Sequence, residues 1–262
     1  MSSYVVTGAA KGIGLEFVNQ LSANSSNTVF AIVRNKNKAP NVEALERKNI
    51  HIVQADCTDG RALLSAAEEV GKVTGGKLDY LIANAGGSNH PGVTMDGFAT
   101  PEDLEKDLID NYKFNAISTA HTINAFLPLL KKGSAKRVMA LSSGLGDLDL
   151  TLASGMLAEP SYSIAKAALN MVVAKYAAQY KDEGFVFLAM SPGIVNTGAD
   201  ATNPGIAAEM KMLAAGVPKI APDFKGPITP EVSVKMQLEV FNRWTVEESG
   251  AFVSHMGNKV WI

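Results

Sequence analysis

One cysteine, Cys57, stands alone in 262 residues. A single thiol excludes an intramolecular disulfide and a cysteine-rich metal site. Histidine is nearly as scarce: His51, His90, His121 and His255 are scattered without metal-ligand spacing, so no metal is expected. Neither sign of charge is in excess, with 24 basic against 26 acidic residues and a net charge of −2. That balance argues against a nucleic-acid or anionic-membrane partner, which calls for a broad basic face. No uninterrupted apolar run reaches the roughly 18 residues of a membrane-spanning helix. The start, Met1-Ser2-Ser3-Tyr4-Val5-Val6-Thr7-Gly8, has neither the basic nor the long apolar segment of a secretory leader. The expectation is a cytoplasmic protein.

Apolar residues are 47% of the chain and charged ones 19%, enough apolar material to rule out disorder as the default state. Short runs at Tyr4–Thr7, Thr28–Val33, Ile50–Ala55, Leu78–Ala83, Arg137–Leu141 and Phe185–Met190 are mostly continuously apolar. Such runs mark parallel strands covered on both faces. Helical patterns fall between and after them: Ile13–Ala23, Val42–Arg47, Arg61–Val73, a long Leu104–Lys132 region and Tyr162–Tyr180. Thr100-Pro101-Glu102-Asp103 and Thr229-Pro230-Glu231 each place a capping threonine, a first-turn proline and acids at a helix start. The alternation implies α/β architecture, a Rossmann-type doubly wound parallel sheet flanked by helices on both faces. No repeat or domain-scale linker interrupts it, so residues 1–262 read as one domain.

The first strand runs into Thr7-Gly8-Ala9-Ala10-Lys11-Gly12-Ile13-Gly14, and a helix follows. Glycines let backbone turn sharply and approach a pyrophosphate, and the helix start offers free N–H groups to the anion. Glycines also serve ordinary tight turns; the strand–turn–helix context favours a dinucleotide. Tyr162 and Lys166 are four apart in a helical pattern and so share one face. An ammonium beside a phenol favours the phenolate, which suits the phenol to proton transfer near neutral pH.

The spacing of Gly8, Gly12, Ile13 and Gly14 resembles the classical short-chain dehydrogenase/reductase family. Further motifs continue the resemblance in order: Asn84-Ala85-Gly86, Asn115, Ser142-Ser143, Tyr162-Ser163-Ile164-Ala165-Lys166, and Ser191-Pro192-Gly193 followed by Val195 and Thr197. Nearly the whole chain is covered. The tail, Lys259-Val260-Trp261-Ile262, is similar to that of the family's sniffer-like carbonyl reductases.

By this resemblance Tyr162 is the general acid and Lys166 its partner and a ribose ligand. Ser143 donates to the substrate carbonyl oxygen, with Ser142 the alternative. Asn115 holds a water through its main chain, with Asn111 the alternative. Gly8, Lys11, Gly12, Ile13, Gly14, Arg34, Asp56, Asn84, Ala85, Gly86, Pro192, Gly193, Val195 and Thr197 complete the cofactor site. Val33 occupies the place of the acid that would grip a ribose 2′-OH, and Arg34 and Lys11 are the cations that a 2′-phosphate needs. NADP(H) is the expected cofactor, and a carbonyl compound, a ketone of moderately bulky apolar shape, the expected substrate. A homodimer or tetramer is implied, built partly from the Leu104–Lys132 and Tyr162–Tyr180 helices.

Nineteen positions separate Ser143 from Tyr162, more than is common in the family. The additional stretch within 144–161 lines either the pocket or a subunit interface. Residues 195–228 resemble a substrate lid, in which Met210, Met212 and Leu213 are candidates to face an apolar substrate. Two other functions fit the same motifs: variant chemistry such as imine reduction or isomerisation, and non-catalytic NADP(H) sensing.

Overall fold

The computed structural model describes residues 2–88, 92–198 and 202–262. Seven strands form one sheet: β1 (Ser3–Thr7), β2 (Thr28–Val33), β3 (Ile50–Gln54), β4 (Tyr80–Ala83), β5 (Arg137–Leu141), β6 (Val186–Ser191) and β7 (Phe252–Ser254). Their order is β3-β2-β1-β4-β5-β6-β7, and every neighbouring pair is parallel. Successive residues of a strand face opposite sides, so both sides must be apolar if both are covered. Val5, Phe30 and Ile32 point into one core, with Phe126, Leu169 and Phe187. Val6, Val29 and Ala31 point into the other, with Phe17 and Phe241. Helices α3 (Gly60–Thr74), α5 (Ser118–Leu130) and α7 (Pro160–Gln179) contribute to the first core. Helices α1 (Gly12–Ser22) and α9 (Pro230–Arg243) contribute to the second. The fold is the doubly wound Rossmann type. Chain order reverses between β1 and β4, and in such sheets the crevice at that switch point is where ligands sit.

Both expected helix caps form: Thr100 Oγ1 accepts the Asp103 amide at 3.1 Å, and Thr229 Oγ1 the Val232 amide at 3.3 Å. Four elements differ from the sequence reading. The Leu104–Lys132 region is not one helix. Helix α4 (Pro101–Tyr112) and α5 are joined by a π-helical stretch, Lys113–Ile117. There Asn115, Ser118 and Thr119 bond backbone carbonyls at Asn111, Phe114 and Asn115, which competes with regular helix pairing. The helical pattern at 42–47 shrinks to a turn, α2 (Pro40–Glu43), and Glu46 adopts a left-handed φ of 49°. The extra stretch after Ser143 is not a plain loop. It folds as a 3₁₀ turn, Gly144–Gly146, and a short helix, α6 (Leu148–Ser154), closed by left-handed Gly155. Strand β7 was not expected; three residues are too few for a periodic signal, and it forms only because the β6 edge is there to pair with.

Helix α8 (Pro204–Ile220) lies in the 195–228 segment and shares an apolar cluster with α6: Leu150 and Met156 pack with Leu213 and Ile220. The ends of that segment meet in a parallel bridge between Val195 and Ile228. Residues 199–201 of the expected lid, and His90, lie outside the described residues. Among the described residues no helix is long and apolar enough to cross a membrane, and no cluster of three or more His, Cys, Asp or Glu side chains suits a metal.

Candidate active site

The turn between β1 and α1 is shaped by close backbone approach. Gly8 and Gly12 take φ of +66° and +57°, where a side chain is strained. A Cβ on Gly14 would sit 2.3 Å from the Gly8 carbonyl oxygen and 2.5 Å from Asn84 Nδ2. No side chain caps the first turn of α1, so its amides remain for an anion. Asn84 braces the turn from β4: Nδ2 donates to the Thr7 carbonyl at 2.8 Å, and the Ala85 amide donates to Thr7 Oγ1 at 3.1 Å.

These residues floor a cleft of ≈ 960 Å³. Gly8, Lys11, Gly12, Ile13, Gly14, Asn84, Ala85 and Gly86 line it, with Tyr162, Lys166, Pro192 and Thr197 further along. At one end Val33, Arg34 and Asp56 meet, and no acid ends β2. Arg34 and Lys11 are exposed. Asp56 is held below the usual carboxylate range, first by the Thr58 amide at 2.9 Å, then by the Thr58 hydroxyl and the charges of Arg34 and Lys113. The glycine cradle, the open helix start and this basic end fit a phosphorylated dinucleotide.

Lys166 is buried, and its Nζ donates to the Leu141 carbonyl at 2.7 Å. It lies 5.4 Å from the Tyr162 ring centroid. Burial pushes its pKa down to about 7. Gly86 is pinched between Asn115 and Lys166: a Cβ there would meet Asn115 Oδ1 at 2.8 Å and Lys166 Nζ at 3.0 Å. Asn115 does not line the cleft. It sits one layer behind, its amide clasping the Gly87 backbone in both directions. Asn111 is farther back, its Nδ2 bonded to Asp107.

The two serines differ in what their hydroxyls do. Ser142 is buried and donates to Asn170 Oδ1 at 2.6 Å. Ser143 Oγ accepts the Leu145 amide at 3.2 Å, which leaves its own hydrogen for donation. Ser142 is among the lining residues of the cleft and Ser143 is not. Gly193 and Val195 also stand off the lining. Gly193 takes φ +81° and would place a Cβ 2.7 Å from the His255 ring, whose pKa burial pushes down.

Other lining residues carried no sequence signal as site residues. Phe114, Ser88, Gly87, Ile206 and Cys57 reach the wall from four separate segments. Cys57 is buried, with its thiol pushed up to about 11 by desolvation. Of α8, Ile206 is the described residue on the lining. Leu213 turns toward Leu150 and Trp261, and Met210 is exposed.

Comparison with known proteins agrees with this geometry. The short chain dehydrogenase family model matches residues 3–204. Similar proteins include Short chain dehydrogenase virK of Hypocrea virens, 43% identical with both chains fully covered. Short-chain dehydrogenase/reductase AacuF of Aspergillus aculeatus is 42% identical, also over the whole of both. Among solved structures, an NADPH-bound carbonyl reductase from chicken fatty liver is 30% identical, with TM-score 0.78 and 98% of each chain covered. Carbonyl reductase Sniffer of D. melanogaster shares the fold at 22% identity, TM-score 0.79, over 98% of each chain. With the glycine turn, the paired tyrosine and lysine and a family match running through all but the last segment, the chain belongs to the short-chain dehydrogenase family of oxidoreductases.

Proposed function

We propose that this oxidoreductase is an NADPH-dependent carbonyl reductase, converting a ketone of a moderately bulky apolar molecule to an alcohol. The observation that carries the reading is the buried Lys166 beside the Tyr162 ring, in a cleft whose far end holds Arg34 beside Val33, with no acid at the end of β2. Arg34 and Lys11 would hold a 2′-phosphate, Asp56 the adenine edge, and the Gly8–Gly14 turn the pyrophosphate. When bound, NADPH supplies the hydride.

The chain's residues handle the oxygen of the substrate. Ser143 donates its free hydroxyl hydrogen to the carbonyl oxygen and stabilises the charge that develops there. Tyr162 gives that oxygen a proton. Lys166, fixed by the Leu141 carbonyl, lies close enough to favour the phenolate left behind. Asn115 holds the backbone at Gly87 and, through its main chain, a water reaching Lys166. Phe114 and Ile206 give the cleft apolar wall. Residues 1–262 act as one domain, with 195–228 as the lid. The protein is cytoplasmic and homo-oligomeric; exposed Ile109, Tyr112, Ile164 and Met171 on α4 and α7 supply the apolar face.

The test is NADPH oxidation against ketones, diones, quinones and imines, beside NADH and a Tyr162→Phe variant. Turnover that prefers NADPH and a ketone, and falls by about 10²–10⁴ in the variant, is the expected result. Equal turnover by Tyr162→Phe overturns the acid assignment. Turnover of imines alone overturns the carbonyl substrate.

A further inference from the structure

Ser143 sits between two neighbours whose positions are set from outside its own strand. On one side, Ser142 is tied by its hydroxyl to Asn170, one helical turn beyond Lys166 on α7. On the other, the Gly144 amide donates to Ser191 Oγ at 3.0 Å, at the end of β6. Beyond lies the 3₁₀ turn Gly144–Gly146, whose two glycines give it little stiffness of its own.

That turn is pressed from two directions. A Cβ on Gly146 would fall 2.9 Å from the backbone of Lys166 and Ala167, so the turn lies directly on α7. A Cβ on Gly144 would fall 3.2 Å from Trp261 Cβ, so the indole lies directly on the turn. Trp261 is in turn held. It is 7% exposed, its ring stacks on Phe252 with centroids 4.4 Å apart, and Lys259 lies over both rings at 5.2 Å. Lys259 also reaches Asp147, the residue after the turn, at 3.4 Å. Trp261 therefore packs onto the turn following Ser143 and Lys259 reaches the residue after it, while Trp261 does not line the cleft.

We propose that the C-terminal tail is a positioning element of the active site, with Trp261 holding the Gly144–Gly146 turn so that Ser143 keeps its donor geometry. Asn170 and Ser191 complete the bracket. This rests on the carbonyl-reductase reading above, in which Ser143 donates to the substrate oxygen. Such a donor works only within a narrow range of distance and angle, and a supporting contact outside the site sets that range.

The experiment compares wild type with Trp261→Ala, Trp261→Phe, Ser191→Ala, Asn170→Ala and Tyr162→Phe, on whichever ketone the panel identifies. A misplacement of this kind costs up to about 100-fold. Trp261→Ala is expected to lose about 10–100-fold in kcat, with KM shifting far less and NADPH affinity, read by fluorescence, unchanged. Trp261→Phe recovers most of kcat, and the pH profile, set by Tyr162 and Lys166, stays in place. Ser191→Ala and Asn170→Ala show smaller losses of the same kind. A folded Trp261→Ala protein with kcat within about twofold of wild type, while Tyr162→Phe is inactive, overturns the positioning role and leaves the reductase reading standing. A raised KM at unchanged kcat overturns it as well, because the tail would then belong to the substrate wall. Should Trp261→Ala fail to fold, unchanged kcat in Trp261→Phe, Ser191→Ala and Asn170→Ala together is decisive against the bracket. No wild-type turnover of any carbonyl compound overturns the reductase reading and this role with it.

Discussion

The dinucleotide end of the cleft and the apolar cluster behind the turn after Ser143 are built in different ways. At the dinucleotide end, backbone meets backbone: Gly8 touches Ala85, and Gly14 touches the Gly8 carbonyl. All but Asn84 and Ala85 of this contact set come from one stretch of eight residues. In the cluster, side chains from α6, α8, β7 and the tail meet over Leu150, Met156 and Trp261. Those segments span 145 to 262 in sequence. The dinucleotide end tolerates almost no added atom. The cluster tolerates change in proportion to how well it repacks.

The sharpest way to break this comparison is Gly14→Ala. Its methyl meets a carbonyl oxygen that cannot swing aside, and overpacking of about 1–3 kcal/mol corresponds to a drop of about 10–100-fold in NADPH affinity, read by fluorescence titration. Unchanged affinity would mean the turn is more pliant than its contacts imply. Arg34→Ala tests the chemistry of the same end. Losing a charged hydrogen bond of about 1.5–3 kcal/mol lowers NADPH over NADH preference by about 10–100-fold, measured as the ratio of kcat/KM values. An unaltered ratio would place the phosphate elsewhere.

In the cluster, Leu150→Ala removes a buried side chain that, like Trp261, lies against Gly144. The expected cost is about 2 kcal/mol of stability, the low end of the range for such truncations, with kcat lowered, KM shifting less and NADPH affinity unchanged. Thermal melts and steady-state kinetics separate the two effects.

Lys166 lies along the cleft beside Tyr162 and makes a prediction about stability alone. Its pKa of about 7 is below the ordinary lysine value of 10.5. Between those values the unfolded chain binds a proton that the folded protein does not. Stability therefore falls as pH drops through this window, and the loss is complete below about 7. The cofactor-free protein should melt roughly 5–9 °C higher at pH 9 than at pH 7 from this source, at about 1.4 kcal/mol per pH unit over most of that range and roughly 2–4 °C per kcal/mol. Lys166→Met should remove that part of the slope. An identical slope in both proteins would mean Lys166 is charged in the folded state at pH 9.

Legibility in sequence followed the same division. The glycine turn was readable because its constraint is local: a strand, three glycines and a helix start fall within a dozen residues. Tyr162 and Lys166 were readable because helical spacing alone puts them on one face. Strands β1 to β6 were readable from apolar runs, with ends off by a residue or two. The π-helical stretch at Lys113–Ile117 was not; the side chain of Asn115 within it bonds a partner, Gly87, 28 residues away. Nor was β7, whose three residues need the β6 edge.

By itself, then, the sequence determined the alternating α/β fold, the phosphate turn and the tyrosine–lysine pair, all of which rest on periodicity or neighbouring residues. Tertiary structure alone decided which of two adjacent serines keeps a hydroxyl hydrogen to donate. Ser142 spends its own on Asn170 across the α7 interface, and Ser143 does not. It also decided that Phe114, Ile206 and Cys57 share one wall, and that Trp261 lies on Gly144. Contacts between residues tens to a hundred positions apart leave no local pattern; they exist only once the sheet has brought its strand ends together.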